Sequence, residues 1–415
     1  MKVKGILNNP NYRRIIGNFT YLSILQFAGY IFPLITIPYL AKTIGVTGFG
    51  HIAFAAGIVV WIQTIVDWGF SYTATREVAR YQNDKEALSD IFSRVIWAKF
   101  LLMGITFIIF LGCIQIIPSL HDEILLFIFT FLLVPGHILF PDWFFQGIEQ
   151  MKYITILNLV SKTIFTLLIF IVVKKPSDYL YQPLLTSLGY LTAGCISLIL
   201  IFRKWGVRMK IPRFRDILET IKGSTNLFIN QIFPNMYNSV GIVLLGSFHG
   251  SSAVGIQDSA WKITNIATIF FTNASRAIFP FFSRNLSKHK QYAIISITLS
   301  LAIAALLCLF ASKIICLLYT PDFYSAIPIL RIISISLIFH VIGNVYGVNY
   351  MILEGYESKL RNFTMVSSII AFVVSIPLIY YYSYTGMALT FALGRFLIAL
   401  FTFKFVHKYG REYHK

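Results

Sequence analysis

Residues 18–58 read NFTYLSILQFAGYIFPLITIPYLAKTIGVTGFGHIAFAAGI, an apolar run that reaches a turn with a GxxxxG spacing at Gly45 and Gly50 and then resumes. The first part of this run is long enough to cross a hydrocarbon core of about 30 Å, which takes about 20 residues of helix. Runs of this kind recur along the 415 residues, and only 13% of the residues are charged. A soluble protein carries roughly 25% charged residues. The chain is therefore predicted to be an all-α integral membrane protein.

Twelve apolar runs can be counted, and the basic residues between them predict their orientation. The runs lie near residues 15–40, 50–72, 91–117, 123–146, 153–173, 181–202, 223–248, 256–281, 293–318, 325–352, 361–382 and 385–406. Of the 35 Lys and Arg residues, 22 fall in the N-terminus, the even-numbered loops and the C-terminus, three fall in the odd-numbered loops, and the other ten lie inside the runs. Positively charged loops stay in the cytoplasm, so both termini are predicted to be cytoplasmic. The net charge of +18 then points to anionic membrane lipids as partners, not to nucleic acid.

The two halves of the chain resemble each other. A shift of 205 residues produces ten identities in the 41 gapless pairs that start at position 18, among them Gly45 with Gly250 and Gly50 with Gly255. An even number of spans per half makes the repeats parallel, which is a transporter layout around a midplane cavity. The predicted domains are a six-helix N-terminal lobe at 1–205, a basic cytoplasmic linker at 206–222 and a six-helix C-terminal lobe at 223–415.

Ionisable side chains inside spans are costly and by default mark a cavity or a functional site. Polar residues of the eighth span recur at helical spacing and share one face: Asp258, Lys262, Asn265, Thr268, Thr272 and Arg276. The residues predicted to bind substrate are Lys262, Arg276, Lys162, Arg395, Asn265 and Asn230. Because Lys and Arg outnumber acids within the spans, the substrate is expected to be an anion, and phosphate or pyrophosphate suits such donors.

The acidic residues inside spans admit more than one interpretation. Asp258 is the candidate for ion coupling, but it lies one helical turn from Lys262, and the two side chains could equally neutralise each other. Asp67 and Asp142 lie near the predicted cytoplasmic ends of their spans, where a helix-end or salt-bridge role is at least as good an interpretation. His340 and His137 are interpreted as packed, hydrogen-bonded histidines.

Several classes of protein are disfavoured by what the sequence lacks. The four cysteines lie in apolar runs without a CxxC spacing, and no cluster of metal-ligating residues occurs. No P-loop, HExxH or GxSxG motif is present, and the predicted outside loops are short, so no enzyme, metal or cofactor is expected. A membrane glycan polymerase or ligase is the less favoured alternative. An ion-coupled multidrug extruder of the same fold is the other alternative, although cationic drugs would favour a more acidic cavity.

Four segments carry a resemblance to a known family: Asn18–Gly50, Asp67–Arg80 (DWGFSYTATREVAR), Pro141–Thr155 (PDWFFQGIEQMKYIT) and Ser275–Arg284 (SRAIFPFFSR). They resemble O-antigen or polysaccharide repeat-unit flippases of the Wzx type. That family belongs to the superfamily of multidrug, oligosaccharidyl-lipid and polysaccharide exporters, which also contains the lipid II flippases.

The resemblance implies a MATE-like bundle of two six-helix lobes around a central cationic cavity. The implied substrate is an undecaprenyl-pyrophosphate-linked oligosaccharide, an O-antigen or capsular repeat unit, moved from the cytoplasmic to the outer leaflet by alternating access. The implied location is the bacterial inner membrane, with glycan polymerase and chain-length machinery as partners. Within this resemblance Lys262, Arg276, Lys162 and Arg395 would contact substrate and Asp258 would couple ions. The ATREVAR segment would supply a cytoplasmic charge clamp of Arg76, Glu77 and Arg80.

Overall fold

The computed structural model describes residues 10–116, 121–282 and 286–410, and within these ranges the chain consists of helices joined by short turns, with no strand. The hydrocarbon interior offers no water to pair with backbone N–H and C=O groups, so each spanning segment must satisfy them within its own helix. Nine helices in these ranges are long and apolar enough to cross a membrane. The predicted all-helical, multi-pass fold is confirmed to that extent.

Thirteen α-helices are numbered here in chain order over the described ranges. The first eight are α1 (Pro10–Asp67), α2 (Phe70–Arg80), α3 (Lys85–Ile116), α4 (Ile124–Phe131), α5 (Leu133–Leu139), α6 (Asp142–Gly147), α7 (Met151–Val172) and α8 (Tyr181–Trp205). The remaining five are α9 (Phe214–Phe282), α10 (His289–Leu309), α11 (Ala311–Leu318), α12 (Ala326–Ile342) and α13 (Glu357–Tyr409). A π-helical segment, Gly343–Met351, continues α12. Short 3₁₀ turns lie at Pro176–Leu180, Leu286–Lys288 and Pro321–Phe323.

Three of the longest helices are each broken at one residue. The breaks are Gly45 in α1 (φ 67°, ψ −177°), Gly250 in α9 (φ 77°, ψ 175°) and Ser383 in α13 (φ 53°, ψ −134°). All three fall in loops predicted between apolar runs. A positive φ with an extended ψ is almost restricted to glycine, because a Cβ atom clashes there. Gly45 and Gly250 are equivalent under the 205-residue shift, so the two repeats bend at the same position.

The chain forms two compact units. The first contains the residues up to Thr43 together with Val59–Gln231, and the second contains Ile44–Ile58 together with the residues from Ile232 onward. Aromatic side chains fill the core of the first unit, where Trp143, Phe144 and Phe92 are fully buried. A core cluster of the second unit is centred on α12 and its π-helical continuation, against which α10 and α13 pack.

In the second unit the two repeat-related turns pack directly on each other. Thr47 Oγ1 lies 2.9 Å from Ser252 Oγ. A Cβ atom on Gly50 would lie 1.7 Å from the carbonyl oxygen of Ser251, and one on Gly255 would lie 2.3 Å from a carbonyl oxygen of the first turn. Real Cβ atoms do not approach so closely, so the duplicated glycines allow backbone to meet backbone at this point.

In the first unit a second close contact joins the end of α1 to α9. The indole of Trp68 stacks on the ring of Phe228 with centroids 3.9 Å apart, and Trp68 Nε1 donates to Thr225 Oγ1 at 3.3 Å. Thr73 Oγ1 and Ser224 Oγ lie 2.8 Å apart beside this stack. An aromatic stack of this kind stabilises by about 1 kcal/mol beyond the area it buries.

Replacing Gly45 or Gly250 with Ala is expected to destabilise the fold through backbone strain alone. A Cβ atom at either position meets no heavy atom within 4 Å, so the expected loss of about 1–3 kcal/mol would come from the forced φ and ψ. Thermal unfolding of the purified protein in detergent measures the effect. Gly104→Ala in α3 is the matched control, since its Cβ is also unobstructed and its backbone is helical. Equal unfolding temperatures for all three variants would contradict the assignment of strain to the breaks.

Candidate functional site

A polar cavity of about 330 Å³ lies within the first unit and is lined by ionisable residues of four helices. Asp67, the last residue of α1, forms a salt bridge with Lys99 of α3, with Oδ1 and Nζ 2.8 Å apart. Ser71 Oγ donates to both carboxylate oxygens, at 2.9 and 3.0 Å. Lys99 lies inside a span and its side chain is only 8% exposed, so the pair offsets a desolvation cost that neither charge could bear alone. The salt-bridge interpretation of Asp67 is confirmed.

The same cavity holds a second acid and a histidine. Asp142 begins α6, and its carboxylate accepts hydrogen bonds from the backbone N–H of Trp143 at 2.8 Å and from Gln146 Nε2 at 3.3 Å. The helix-end interpretation of Asp142 is therefore confirmed. The imidazole of His137 stacks on the ring of Tyr190, with centroids 4.3 Å apart. We refer to the cavity lined by Asp67, Lys99, His137 and Asp142 as the acid–base cavity.

Lys162 lines a neighbouring cavity of about 120 Å³ between α7 and α8. Asn158 and Tyr190 line both this cavity and the acid–base cavity. The other polar lining groups are the hydroxyls of Ser161, Thr166 and Thr186. Within the described ranges Lys162 has no acidic partner. An ammonium group held in a membrane helix without a carboxylate is suited to bind an anion.

In the second unit the predicted pair on α9 is closely associated. Lys262 Nζ lies 2.5 Å from Asp258 Oδ2, and the same ammonium lies 3.9 Å from the centroid of the Phe49 ring. The carboxylate and the aromatic face both stabilise the cation in a site where water is scarce. The geometry agrees with mutual neutralisation, and the roles of both residues in binding and coupling stay predictions. Asn265 lies half-buried on the same helix.

Arg395 of α13 lies beside a third cavity, of about 370 Å³. Its guanidinium donates to Ser336 Oγ at 3.3 Å and to Thr268 Oγ1 at 3.4 Å. The guanidinium carbon also lies 4.2 Å from the centroid of the Phe391 ring. Hydroxyl groups and an aromatic face orient the cation, and its planar donor array suits a phosphate group.

The Arg395 cavity also contains a histidine whose position the sequence did not reveal. His340 Nε2 lies 3.1 Å from Thr272 Oγ1 and 2.9 Å from Asn344 Nδ2. Asn344 belongs to the π-helical segment, and such segments are frequent at functional sites because the wider turn reorients side chains. His340 is packed and hydrogen-bonded, as expected, and it also lines the cavity. In the sequence, the only signal of this position was the glycine at 343, three residues after His340.

The predicted site residues are thus distributed over both units. Asp258 and Lys262 are brought together, Arg395 meets Thr268 on the predicted polar face of α9, and Lys162 lies in the other unit. The side chains of Arg276 and Asn230 lie outside the described part of the structure. Sequence reasoning did not connect Lys99 with Asp67, because the two partners are 32 residues apart and on different helices.

The predicted cytoplasmic clamp lies on α2. Glu77 Oε2 is 3.8 Å from Arg94 Nη2 of α3, with both side chains more than one-third exposed. Arg76 and Arg80 are exposed, and neither forms an ion pair with another described residue. A surface pair of this kind contributes at most about 1 kcal/mol, so the clamp function stays a prediction.

Comparison with known proteins defines first a class and then a family. The fold resembles that of a solved structure described as "Lipid II flippase MurJ, inward closed conformation", with a TM-score of 0.70, 16% identity, and coverage of 92% of this chain and 87% of that one. The class is therefore that of multi-pass membrane proteins with this helical fold. The family model described as "Polysaccharide biosynthesis protein" matches residues 15–286. The chain belongs to this family.

Two relatives carry the name "Putative O-antigen transporter". The protein of Escherichia coli strain K12 is 26% identical over 407 residues, which is 96% of this chain and 98% of the relative. The protein of Shigella dysenteriae is 26% identical over 396 residues, covering 94% and 99%. The resemblance predicted from the four sequence segments is confirmed.

Breaking the buried pair from one side is expected to destabilise the protein more than removing both charges. Asp67→Asn or Lys99→Met alone leaves one uncompensated charge inside a span and should cost about 3 kcal/mol. The double variant should recover most of that loss, because no charge then remains at either position inside the span. Unfolding temperatures of the four forms in detergent complete the cycle. Additive losses in the double variant would show that the two side chains are not energetically coupled.

Proposed function

We propose that the chain is a flippase that moves an undecaprenyl-pyrophosphate-linked oligosaccharide, an O-antigen or capsular repeat unit, from the cytoplasmic to the outer leaflet of a bacterial inner membrane. The observation that carries the proposal is the similarity over nearly the whole chain to the E. coli protein named an O-antigen transporter. Membership of the polysaccharide biosynthesis family supports it. Glycan polymerase and chain-length machinery would act on the translocated product.

The cavities supply the chemistry that such a transport step needs. An oligosaccharide cannot cross hydrocarbon unaided, since each buried hydroxyl without a partner costs several kcal/mol. The hydroxyl- and amide-lined cavities beside Lys162 and Arg395 would replace water around the sugars. Lys162, Arg395, Lys262 and Arg276 would each serve as a binding group for the anionic substrate, while Asn265 and Asn230 would contact its polar groups.

Asp258 is proposed to couple transport to an ion gradient. Its carboxylate holds Lys262 at 2.5 Å, so protonation of Asp258 would release the ammonium toward an anion. This arrangement would link arrival of a proton to binding of substrate through one shared cation. Arg76, Glu77 and Arg80 are proposed to form a cytoplasmic charge clamp rather than a substrate site.

Topology in the proposal follows the twelve predicted spans. Counting each of the three helices broken at Gly45, Gly250 and Ser383 as two crossings turns nine candidate spans into twelve. That number supports two six-span lobes, at 1–205 and 223–415, joined by the linker at 206–222, with both termini in the cytoplasm.

The two repeat-related turns are proposed as the outer gate of an alternating-access cycle. In the predicted orientation, the turns containing Thr47 and Ser252 face the outside of the cell. Their backbones are in contact, and the hydrogen bond between Thr47 and Ser252 would have to break before a glycan headgroup could leave outward.

Removing either cavity cation is expected to lower transport strongly. Lys162→Gln and Arg395→Gln should each lower surface glycan about tenfold or more, since a charge-assisted hydrogen bond contributes about 1.5–3 kcal/mol. Complementation of a strain that lacks its flippase but makes the cognate repeat unit, at matched membrane levels, measures the loss. Lys290→Gln, an exposed cation at the start of α10, is the control and should leave export unchanged.

Full export by both cavity variants would overturn the assignment of these two cations. A wild-type chain that restores no surface glycan in several such strains would instead contradict the flippase proposal. Drug resistance conferred by the same chain would then favour the multidrug extruder.

A disulfide across the two turns is expected to stop the cycle reversibly. In a chain whose four native cysteines are serines, Thr47→Cys with Ser252→Cys should cross-link on oxidation because the native side-chain oxygens lie 2.9 Å apart. Export should fall on oxidation and return with reductant, while either single-cysteine variant should be unaffected by both treatments. Cross-link yield is read separately by gel mobility after cleavage of the chain between the two sites. Efficient cross-linking with undiminished export would show that the turns need not separate.

A further inference from the structure

The segment between α8 and α9 is fixed against α3 by hydrogen bonds in register. The backbone N–H of Arg208 donates to Ser89 Oγ at 3.0 Å, and that of Lys210 donates to Ser93 Oγ at 2.8 Å. Trp97 Nε1 donates to the carbonyl oxygen of Lys210 at 3.1 Å. Ser89 and Ser93 are four residues apart on a helix, a rise of about 6.0 Å, and Arg208 and Lys210 are two residues apart in extended chain, about 6.6 Å. Because the two distances nearly match, each backbone N–H of the segment meets the next turn of α3. We call residues 207–212 the strap.

Side chains strengthen this attachment. Lys210 Nζ lies 2.7 Å from Glu86 Oε2 and 2.8 Å from Asp90 Oδ1. Hydrogen bonds to Asp90 and Glu86 raise the pKa of Lys210, so this lysine stays charged at neutral pH. Val207 is buried, with 2% of its surface exposed. The strap therefore has a defined position, and the groups on its outer side are held in place.

That outer side is apolar and basic at once. Ile211 is 88% exposed, Phe214 62% and Leu218 47%. Arg208 and Arg213 are exposed beside them, and neither forms an ion pair with another described residue. Large apolar side chains fixed in this way would be costly in water. Their alternation with cations is typical of a segment that lies in a membrane interface.

Depth in the membrane is indicated by tryptophan. Trp97, which binds the strap, is 38% exposed, and Trp205 ends α8 immediately before the strap. Tryptophan is enriched at the level of the lipid headgroups. The strap follows a span directly and belongs to the most basic predicted cytoplasmic loop. In the predicted orientation, these observations place the strap at the headgroup level of the inner leaflet, where anionic lipids attract clustered Lys and Arg.

A groove of about 420 Å³ completes the surface. Its lining combines Arg94, Arg213 and Lys210 with Ile211 at one side. The two acids of the groove are already engaged, since Asp90 accepts from Lys210 and Asp216 accepts from the backbone N–H of Arg213. Space, charge and apolar margin together match a phosphate-bearing headgroup with its acyl chains.

We propose that the strap and the first turns of α9 bind anionic phospholipids of the inner leaflet. Ile211, Phe214 and Leu218 insert at the boundary of headgroups and acyl chains, and Arg208 and Arg213 bind the lipid phosphates. Arg215, which is exposed and whose Nε lies 2.9 Å from Glu219 Oε1, adds a third cation that binds lipid phosphate through its terminal guanidinium nitrogens. A free phosphate ion would occupy the groove but leave the apolar side chains in water, so the occupant is a lipid. The site is separate from the proposed substrate cavities and does not depend on the flippase proposal.

Site-directed spin labelling tests the insertion. The full chain carries Ile211→Cys as its single cysteine, with the four native cysteines replaced by serine, and is reconstituted in nanodiscs of phosphatidylcholine with or without phosphatidylglycerol. With phosphatidylglycerol, the label should be more accessible to oxygen than to a water-soluble nickel chelate. In phosphatidylcholine alone, or with Arg208→Gln, Arg213→Gln and Arg215→Gln added, the ratio should shift toward the chelate.

A charge-matched control separates a specific site from general attraction. Lys359→Gln, Arg361→Gln and Lys404→Gln remove three exposed cations elsewhere in the chain and should leave the label where it was. Native mass spectrometry of the chain without the cysteine changes should show about fivefold weaker retention of phosphatidylglycerol for each arginine removed from the strap region. A water-exposed label in both lipids, or equal lipid loss in both triple variants, would overturn the proposal. Equal oxygen accessibility of the label with and without phosphatidylglycerol would overturn the proposed selectivity for anionic lipid.

Discussion

The structure depends above all on the need to satisfy backbone hydrogen bonds in a medium without water. This requirement explains why the described chain is helical almost throughout, with its three longest helices each interrupted at a single residue. Glycine makes two of those breaks possible, because Gly45 and Gly250 adopt backbone angles that other residues avoid. The same glycine-rich turns then permit a close backbone contact in the second unit.

Charge is the second constraint, and the chain treats its charges in the membrane in two ways. In two pairs, opposite charges neutralise each other: Asp67 and Lys99 on different helices, and Asp258 and Lys262 one turn apart on α9. Lys162 is held differently, among hydroxyl groups and beside a cavity. Arg395 is oriented by hydroxyls and a phenyl ring. Two acidic residues within the membrane helices are thus neutralised by a lysine, whereas the described contacts of Lys162 and Arg395 are with neutral groups.

Much of this arrangement was predictable from sequence, and the remainder was not for identifiable reasons. Hydropathy and the 205-residue repeat predict the helical fold and two of the three helix breaks. The break at Ser383 carries no glycine and was found only as a short gap between apolar runs. Spacing along one helix predicts that Asp258 meets Lys262. It cannot predict that Asp67 meets Lys99, or that His340 meets Asn344 beside Arg395, because those contacts depend on how helices pack and where a helix widens.

The contact between the two glycine turns has a particular form. Thr47 meets Ser252, which is its own counterpart in the second repeat, and Gly50 meets the turn of its counterpart Gly255. Contacts of a residue with its own equivalent are generated by a twofold axis, as in the isologous interface of a homodimer. A single six-span ancestor could have used this patch to pair with a second copy of itself. Gene fusion would then have preserved, inside one chain, an interface that first held two subunits together.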